Sequence, residues 1–546
     1  MKKWIWIWAA AALVGCGRHL ERVGSVDIVP EPSDVRVGEG VFSLTRRTEI
    51  RLPDGDSTLV RTAELFGELA GKSLGRSLTV VRGGGQESGA ICVALGDLPA
   101  EAYVLNVRSD RVDLTGGSPA GIFYGFQTLR QLLPESALRG EKARAIDLPA
   151  VEIRDEPRIG YRALLLDVGR HFFVPEEVKS VIDLMAMHKL NRLQWHLTED
   201  QGWRIEIRKY PELTRRGAWR DRSDLRPAED GRPEKDPQPY GGYYTQQQVR
   251  EIVRYAADRF IEIVPEIEMP GHAMAALASY PWLGCLGEGY EVPSLWGVKE
   301  DVYCAGKDST FVFLEDVLTE VTDLFPYGLV HIGGDECPKA RWKECPRCQR
   351  RMRDEGLGSE EELQSYFVRR IERFLASRNR RMVGWDEIRQ GGLSETAIVL
   401  SRKREQGLRS ALENGNDVIM TPYLNCYFDY YQGSRETEPL AFGGFLPLRT
   451  AYDLDPFEGL DAEQSRRILG VQCNLWTEFV ATLDHAEYML LPRLAAFAER
   501  AWTGGEGNYP DFLRRLESFS RLYDAQGYEY RDFRPEADSL KASLGS

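Results

Sequence analysis

Two adjacent carboxylates, Asp335 and Glu336, close the stretch LVHIGGDE at 329–336. Apolar and β-branched residues run to Ile332 and two glycines follow, so the pattern predicts a buried strand that delivers both acids to its C-terminal mouth. Glycines at that point let the backbone turn sharply or let a ligand come close, and side chains on consecutive residues diverge. Acids placed in this way can act on different parts of one substrate. The competing reading is a solvated loop or the first turn of a helix, where Asp-Glu pairs are common.

The elements around the acids decide between these readings. From Tyr161 onward strand and helix patterns alternate, with strand candidates at 163–168, 192–198, 261–267, 329–332, 381–385, 397–401, 418–421 and 468–475. Helical periodicity falls at 175–188, 246–260, 310–324, 363–378 and 487–501. This series predicts an α/β fold, a (β/α)8 TIM barrel over 158–505. A doubly wound sheet is the rival, but no glycine fingerprint follows the first strand. Enzymes of the barrel fold gather their working residues at the C-terminal strand ends. Those ends carry Asp167 and Arg170; Glu199 and Asp200; Glu268 and His272; Asp335 and Glu336. The later ends carry Trp385, Asp386 and Glu387; Arg402; Tyr423 and Tyr427; Trp476 and Glu478. Acids and aromatics with few cations suit a neutral, hydroxyl-rich ligand, because carboxylates accept from hydroxyls and aromatic walls cover a ring face.

Ahead of the barrel, short alternating runs at 104–107 and 112–114 and helical periodicity at 59–69 and 122–133 predict a smaller α+β domain over 25–157, without a catalytic motif. Residues 506–546 are expected to form a helical tail packed on the barrel. With 546 residues the chain is long enough for two or three domains, and its net charge of -14 argues against nucleic acid or anionic membrane as the main partner. Twelve Trp and 23 Tyr are compatible with sugar-binding surfaces. Gly116-Gly117 is too weak a signal for a phosphate loop, and no cofactor is expected.

At the amino terminus, Lys2 and Lys3 precede an apolar run at 4–14 that is too short to span a bilayer and fits the core of a signal peptide. It ends in Leu13-Val14-Gly15-Cys16, which resembles the lipobox of bacterial lipoproteins. That resemblance implies a signal peptide at 1–16, cleavage before Cys16, lipid on its sulfur, and a protein tethered in the cell envelope, in the outer membrane and periplasm or at the cell surface, touching membrane through the lipid alone. An ordinary signal peptide or uncleaved anchor is the alternative. The other cysteines are then expected in an oxidising compartment. Cys285 and Cys304 flank a Gly/Pro-rich loop and are expected to form a disulfide. Cys337, Cys345 and Cys348 include a CxxC, but no nearby His or second CxxC completes a four-ligand set, so a structural disulfide is favoured there and no metal is expected.

Five motifs recur in the order and spacing of one family: YRALLLDVGRHF at 161–172, LNRLQWHLTEDQGWR at 190–204, VPEIEMPGH at 264–272, HIGGDE at 331–336 and LWTEF at 475–479. Over nearly everything after the leader the chain resembles glycoside hydrolase family 20, the β-N-acetylhexosaminidases. The resemblance implies exo-acting, retaining removal of terminal β-N-acetylhexosamine from glycans, the substrate's own acetamido carbonyl attacking the anomeric carbon to give an oxazolinium intermediate. It implies that Glu336 is the general acid and later the base, with a pKa raised by the neighbouring charge. Asp335 would orient the acetamido N–H and stabilise the cation, Tyr427 would donate to the acetamido oxygen, and Trp385 and Trp476 would wall its methyl group. Arg162, either Glu199 or Asp200, and Glu478 would bind hydroxyls, and His272 would sit near the acid pair.

The chain departs from the family pattern at two places. Glu199-Asp200 stands where Asp-Asp is frequent, and Ser401-Arg402-Lys403-Arg404 where S-W-R-G is common, so Arg402 replaces an aromatic wall and slower hydrolysis than in relatives with Trp is expected. A β-N-acetylgalactosaminidase, a lacto-N-biosidase, a hydrolase of 6-sulfated sugars, or a surface lipoprotein that binds glycans with little cleavage remain alternative readings.

Overall fold

The computed structural model describes residues 26–538 except 56, 84, 228–232, 237, 404–406 and 537. Cys16 and the leader lie outside the described residues.

The amino-terminal part is a seven-stranded mixed sheet. Asp34–Thr45 pairs antiparallel with Ala145–Asp155, which pairs antiparallel with Tyr103–Val107. Val112–Gly116 follows antiparallel, and Ile91–Leu95, Glu49–Leu52 and Thr79–Arg82 extend the sheet in parallel. Strict alternation buries Tyr103, Leu105 and Val107 on one strand and Val112 and Leu114 on the next. Helices Thr58–Leu74 and Pro119–Gln131 cover that face, with Phe66 and Phe126 stacked at 5.1 Å between them. Ser118 caps the second helix by accepting from the N–H of Ala120, and Pro119 follows where no N–H partner is required.

Eight parallel strands then close a barrel: Tyr161–Asp167, Arg192–His196, Glu262–Glu266, Leu329–His331, Arg381–Trp385, Ile398–Ser401, Asp417–Met420 and Ile468–Leu475, the last pairing with the first. Each strand candidate read from the sequence corresponds to one of these. Alternate interior positions are apolar, with Ala163, Leu165, Val383, Leu400 and Ile419 in one cluster. Others are polar and buried: Gln194, His196, Glu266, Gln472 and Asn474 form a continuous hydrogen-bonded group. Helices Pro175–Met187, Gln246–Ala257, Asp308–Leu324 and Glu360–Ser377 lie outside. The single helix expected at 487–501 is two, Leu483–Leu490 and Arg493–Trp502, because Pro492 has no N–H with which to continue the first.

The two parts meet at the N-terminal end of the barrel through buried charges. Arg162 donates to both oxygens of Glu101, to the carbonyls of Ile159 and Lys189 and to the Tyr124 hydroxyl. Lys189 Nζ stands 3.0 Å from Asp155 Oδ2, whose other oxygen accepts from Trp502 Nε1 at 2.9 Å. Helix Tyr509–Gln526 closes the same junction. Arg515 pairs with Glu499 and donates to the Ile28 carbonyl, and the Tyr523 hydroxyl meets His188 Nε2 at 2.7 Å.

Candidate active site

Strand Leu329–His331 runs into a turn that its glycines make possible. Gly333 and Gly334 have φ of 68° and 91°, and a Cβ on Gly333 would lie 1.7 Å from Glu268 Oε2. The turn ends with Glu336 in the left-handed region at φ 43°, a conformation costing a non-glycine residue about 1 kcal/mol or more. The two acids are thereby separated in environment. Asp335 is buried, and its Oδ1 has no hydrogen-bond partner. The Glu336 side chain is 45% exposed.

His272, also left-handed at φ 46°, connects Glu336 to the barrel interior. Its Nε2 lies 3.5 Å from Glu336 Oε2, and its Nδ1 lies 2.7 Å from Glu199 Oε1 and 3.2 Å from Asp200 Oδ2. The other Glu199 oxygen meets His196 Nε2 at 3.1 Å, and His196 Nδ1 meets Glu266 Oε2 at 2.6 Å. Burial opposes a charge on either imidazole, but the carboxylates outweigh it. His196 is pushed up to about 10, chiefly by Glu266 and Glu199, and His272 well above its ordinary value, chiefly by Glu199. The imidazolium at His272 then lowers Glu336 through their hydrogen bond, against a smaller effect of burial. Burial raises Asp335 against the pull of His272 and Arg402. The sequence-based expectation that Asp335 raises Glu336 is therefore corrected. In the open pocket the His272 hydrogen bond dominates Glu336, and it is Asp335 that is raised.

The rest of the cavity wall comes from later strand ends. Tyr427 and Asp429 follow the seventh strand, Trp476 and Glu478 the eighth, Arg170 the first. Their polar atoms are not all used by the protein: the Tyr427 hydroxyl, Asp429 Oδ1, Glu478 Oε2 and Arg170 Nε are buried without a hydrogen-bond partner, as is Asp335 Oδ1. Buried polar groups are rarely left this way unless something else satisfies them. Arg170 is fixed by Asp167 and Glu199, each at 3.2 Å, and its guanidinium stands 5.2 Å from the centre of the Trp476 ring. Trp296, 41% exposed, forms an outer lip and packs edge-on against Phe442 at 5.2 Å. Arg402 lines the cavity as well. It pairs with Glu387, reaches Asp386 at 3.5 Å and Asp335 at 3.7 Å, and lies 5.4 Å over the Trp385 ring. Acids outnumber cations, and both arginines are already paired. The site can donate a proton from one acid, hold a second acid beside the developing charge, and offer acceptors to hydroxyls.

Residues 160–505 match the sequence profile of the glycosyl hydrolase family 20 catalytic domain, and residues 25–156 match domain 2 of the same family. The chain belongs to glycosyl hydrolase family 20. Among relatives of this family 20 chain, the beta-hexosaminidase of Porphyromonas gingivalis is 44% identical over 538 residues, covering 96% of the chain and 67% of that protein. The beta-hexosaminidase of Vibrio furnissii is 35% identical, covering 87% and 76%. Among solved structures, the exo beta-N-acetylglucosaminidase of Vibrio harveyi in complex with N-acetylglucosamine superposes with a TM-score of 0.82 at 32% identity, covering 93% of this chain and 78% of that one. The N-acetyl-beta-hexosaminidase of Streptomyces plicatus gives 0.80 at 31% identity, covering 93% and 96%.

In this family 20 site the structure brings together Asp335, Glu336, Glu199, His272, Tyr427, Trp476 and Glu478. It corrects three expectations and decides between Glu199 and Asp200. Arg162 sits at the opposite end of the barrel, 1% exposed and bonded to Glu101, because it is the second residue of its strand; Arg170, beyond the end of that strand, is the arginine in the cavity. Asp200 is behind His272, accepting from its Nδ1 and from the Met274 N–H, so Glu199 rather than Asp200 faces the cavity. Trp385 is fully buried, donating to Glu266 Oε1 at 3.1 Å, with Arg402 over its ring and Trp476 5.6 Å away; it supports the wall from beneath. Cys285 and Cys304 are not joined in a disulfide, and their sulfurs stand with those of Cys345 and Cys348 in one cluster. Asp429 received no role from the sequence. Its signal was its place two residues after Tyr427, in the tight turn in which the Tyr430 N–H donates to the Tyr427 carbonyl. Trp296 sits in a loop with no periodicity to mark it.

Proposed function

We infer that this protein is an exo-acting, retaining β-N-acetylhexosaminidase that removes terminal non-reducing N-acetylhexosamine from glycans by substrate-assisted catalysis. The observation that carries this is the set of unpartnered buried atoms beside the acid pair. Asp335 Oδ1 is an acceptor suited to the acetamido N–H, and the Tyr427 hydroxyl a donor suited to the acetamido oxygen. Held between them, the acetamido carbonyl attacks the anomeric carbon while Glu336 gives its proton to the departing oxygen. Asp335 offsets the positive charge that develops on the acetamido nitrogen, and Glu336 then takes a proton from the water that opens the oxazolinium ring. In the open pocket His272, its Nε2 3.5 Å from Glu336 Oε2, holds the proton and Glu336 is lowered. An aglycone over the half-exposed Glu336 removes water from it, which raises its pKa and moves that proton toward the leaving oxygen. Glu478, Asp429 and Arg170 supply the partners for ring hydroxyls, and Trp476 the apolar wall.

Neutral hexosamines are favoured over 6-sulfated ones, since both cavity arginines are neutralised by carboxylates and further acids line the wall. The lipobox-like sequence ending at Cys16 supports tethering of the enzyme in a bacterial envelope by lipid. Among the described residues no helix is long and apolar enough to cross a membrane. Turnover of p-nitrophenyl β-N-acetylglucosaminide, with none of the matching β-glucoside, is the expected result; equal turnover of both would exclude acetamido participation, and turnover of neither would leave a glycan binder.

A further inference from the structure

The loop after the third strand and the loop after the acid pair meet over four cysteines. Cys285 and Cys304 follow the two residues of an antiparallel bridge, Gly284 with Tyr303, and the Cys304 N–H donates to the Leu283 carbonyl at 2.9 Å. Cys345 and Cys348 lie at the N-terminus of the ten-residue helix Pro346–Glu355. Cys304 Sγ is 3.6 Å from Cys348 Sγ and 3.8 Å from Cys345 Sγ, and Cys285 Sγ is 3.9 Å from Cys348 Sγ. All four sulfurs lie within 4.8 Å of one another, and none belongs to a disulfide. Four sulfurs held tetrahedrally at about 2.3 Å from a central ion are separated by about 3.8 Å. A disulfide instead draws two sulfurs to about 2.0 Å and leaves the other pair apart. The three spacings of 3.6, 3.8 and 3.9 Å match that tetrahedral edge, and the other three stay within 4.8 Å.

We propose that Cys285, Cys304, Cys345 and Cys348 bind one zinc ion in a closed four-thiolate site. Binding Zn2+ releases the thiol protons to solvent and involves no electron transfer. The ligand set is all sulfur, which favours zinc over magnesium or calcium. Cys304 and Cys348 are fully buried and Cys345 nearly so, and four thiolates packed together away from water require a cation among them. The helix places its positive end at this pair, Cys345 standing at its N-cap and Cys348 in its first turn. Gly306 brings the two loops into contact, since a Cβ there would stand 2.3 Å from the carbonyl carbon of Arg347.

The placement suggests what the ion does. One loop carries Trp296 at the lip of the cavity, and the other begins at Glu336. Apart from the cysteines they are joined by Trp342 Nε1 donating to the Tyr303 carbonyl at 2.9 Å and by Arg341 with Asp301 at 2.7 Å. The zinc fixes the lip relative to the general acid, outside the reacting atoms.

The test is the metal content of the full chain purified without chelator, reductant or added metal, by mass spectrometry of the elements and by intact mass under non-denaturing and denaturing conditions. One zinc per chain is expected, released by titration with a mercurial thiol reagent and absent from Cys304→Ser. If that variant does not fold, cobalt exchanged into the parent supplies the same evidence through the intense thiolate-to-cobalt absorption of a tetrahedral site. In Cys285→Ser, whose position is the most exposed of the four, KM for a disaccharide should rise while kcat stays near the parent value. Parent protein free of zinc and lighter by four hydrogens, with the cysteines in two disulfides, overturns the proposal, as does full zinc retention by Cys304→Ser.

Discussion

The two ends of the barrel are built from the same residue types and put to opposite uses. At the N-terminal end Arg162, Lys189, Glu101, Asp155, Tyr103 and Tyr124 join the domains, and among the described residues none of them has a buried side-chain polar atom without a partner. At the mouth Arg170, Asp335, Tyr427, Asp429 and Glu478 are as well buried, yet each keeps one polar atom unpartnered. A satisfied buried network holds a fold together, whereas an unsatisfied one is a cost that a ligand can relieve. Satisfaction, more than residue type, separates these two groups, although Arg192 Nε at the N-terminal end is also buried without a partner.

The largest expected effect belongs to the mouth. Glu336→Gln should lower kcat by about a hundred- to ten-thousand-fold with substrate affinity retained, the loss expected for a general acid. Initial rates on a disaccharide and on a p-nitrophenyl glycoside check this, and the deficit should be greater for the disaccharide, whose leaving alkoxide needs the proton. A contrasting pair of substitutions follows. Arg162→Met strands Glu101 and three further acceptors, so it should cost about 3 kcal/mol of stability while leaving kcat/KM of the folded enzyme unchanged. Tyr427→Phe removes a hydroxyl that has no protein partner, so thermal stability should hold while kcat/KM falls about a hundredfold. Denaturation midpoints and rates measured on both would erase the contrast if each substitution moved both quantities.

The smallest effect concerns Arg402. Asp335 is raised by burial and held down by His272 and Arg402, and catalysis requires its ionised form. Arg402→Met removes one of the two cations, so the Asp335 pKa rises further and the acid limb of the kcat profile moves to higher pH; Arg402 also lowers Glu336, so the alkaline limb moves in the same direction. An unmoved acid limb would show that Arg402 does not act on Asp335.

The barrel and the acid pair were legible in the sequence because both are local. Short, nearly continuous apolar runs alternating with helical periodicity mark the barrel strands, and HIGGDE is one contiguous stretch. Arg162 was misread because the role came from the resemblance of the whole motif at 161–172, which also holds Arg170, although the strand candidate at 163–168 already put Arg162 at the N-terminal end of the barrel. Asp200 and Glu199 are neighbours whose carboxylates both reach His272 Nδ1, and only the fold shows that Glu199 also lines the cavity while Asp200 lies behind the imidazole. The cysteine cluster was illegible for a different reason. Its two pairs are 41 residues apart from Cys304 to Cys345, and only the closed barrel brings those loops together.

In this mechanism the substrate's acetamido group, held by Asp335 and Tyr427, is the nucleophile. The most direct test of that role is kcat/KM for p-nitrophenyl glycosides whose N-acetyl group carries zero, one, two or three fluorines, each fluorine weakening the carbonyl oxygen as a nucleophile while leaving the sugar unchanged. The predicted result is a steep fall along the series in the parent enzyme; a flat series would contradict it and require a nucleophile from the protein or from water.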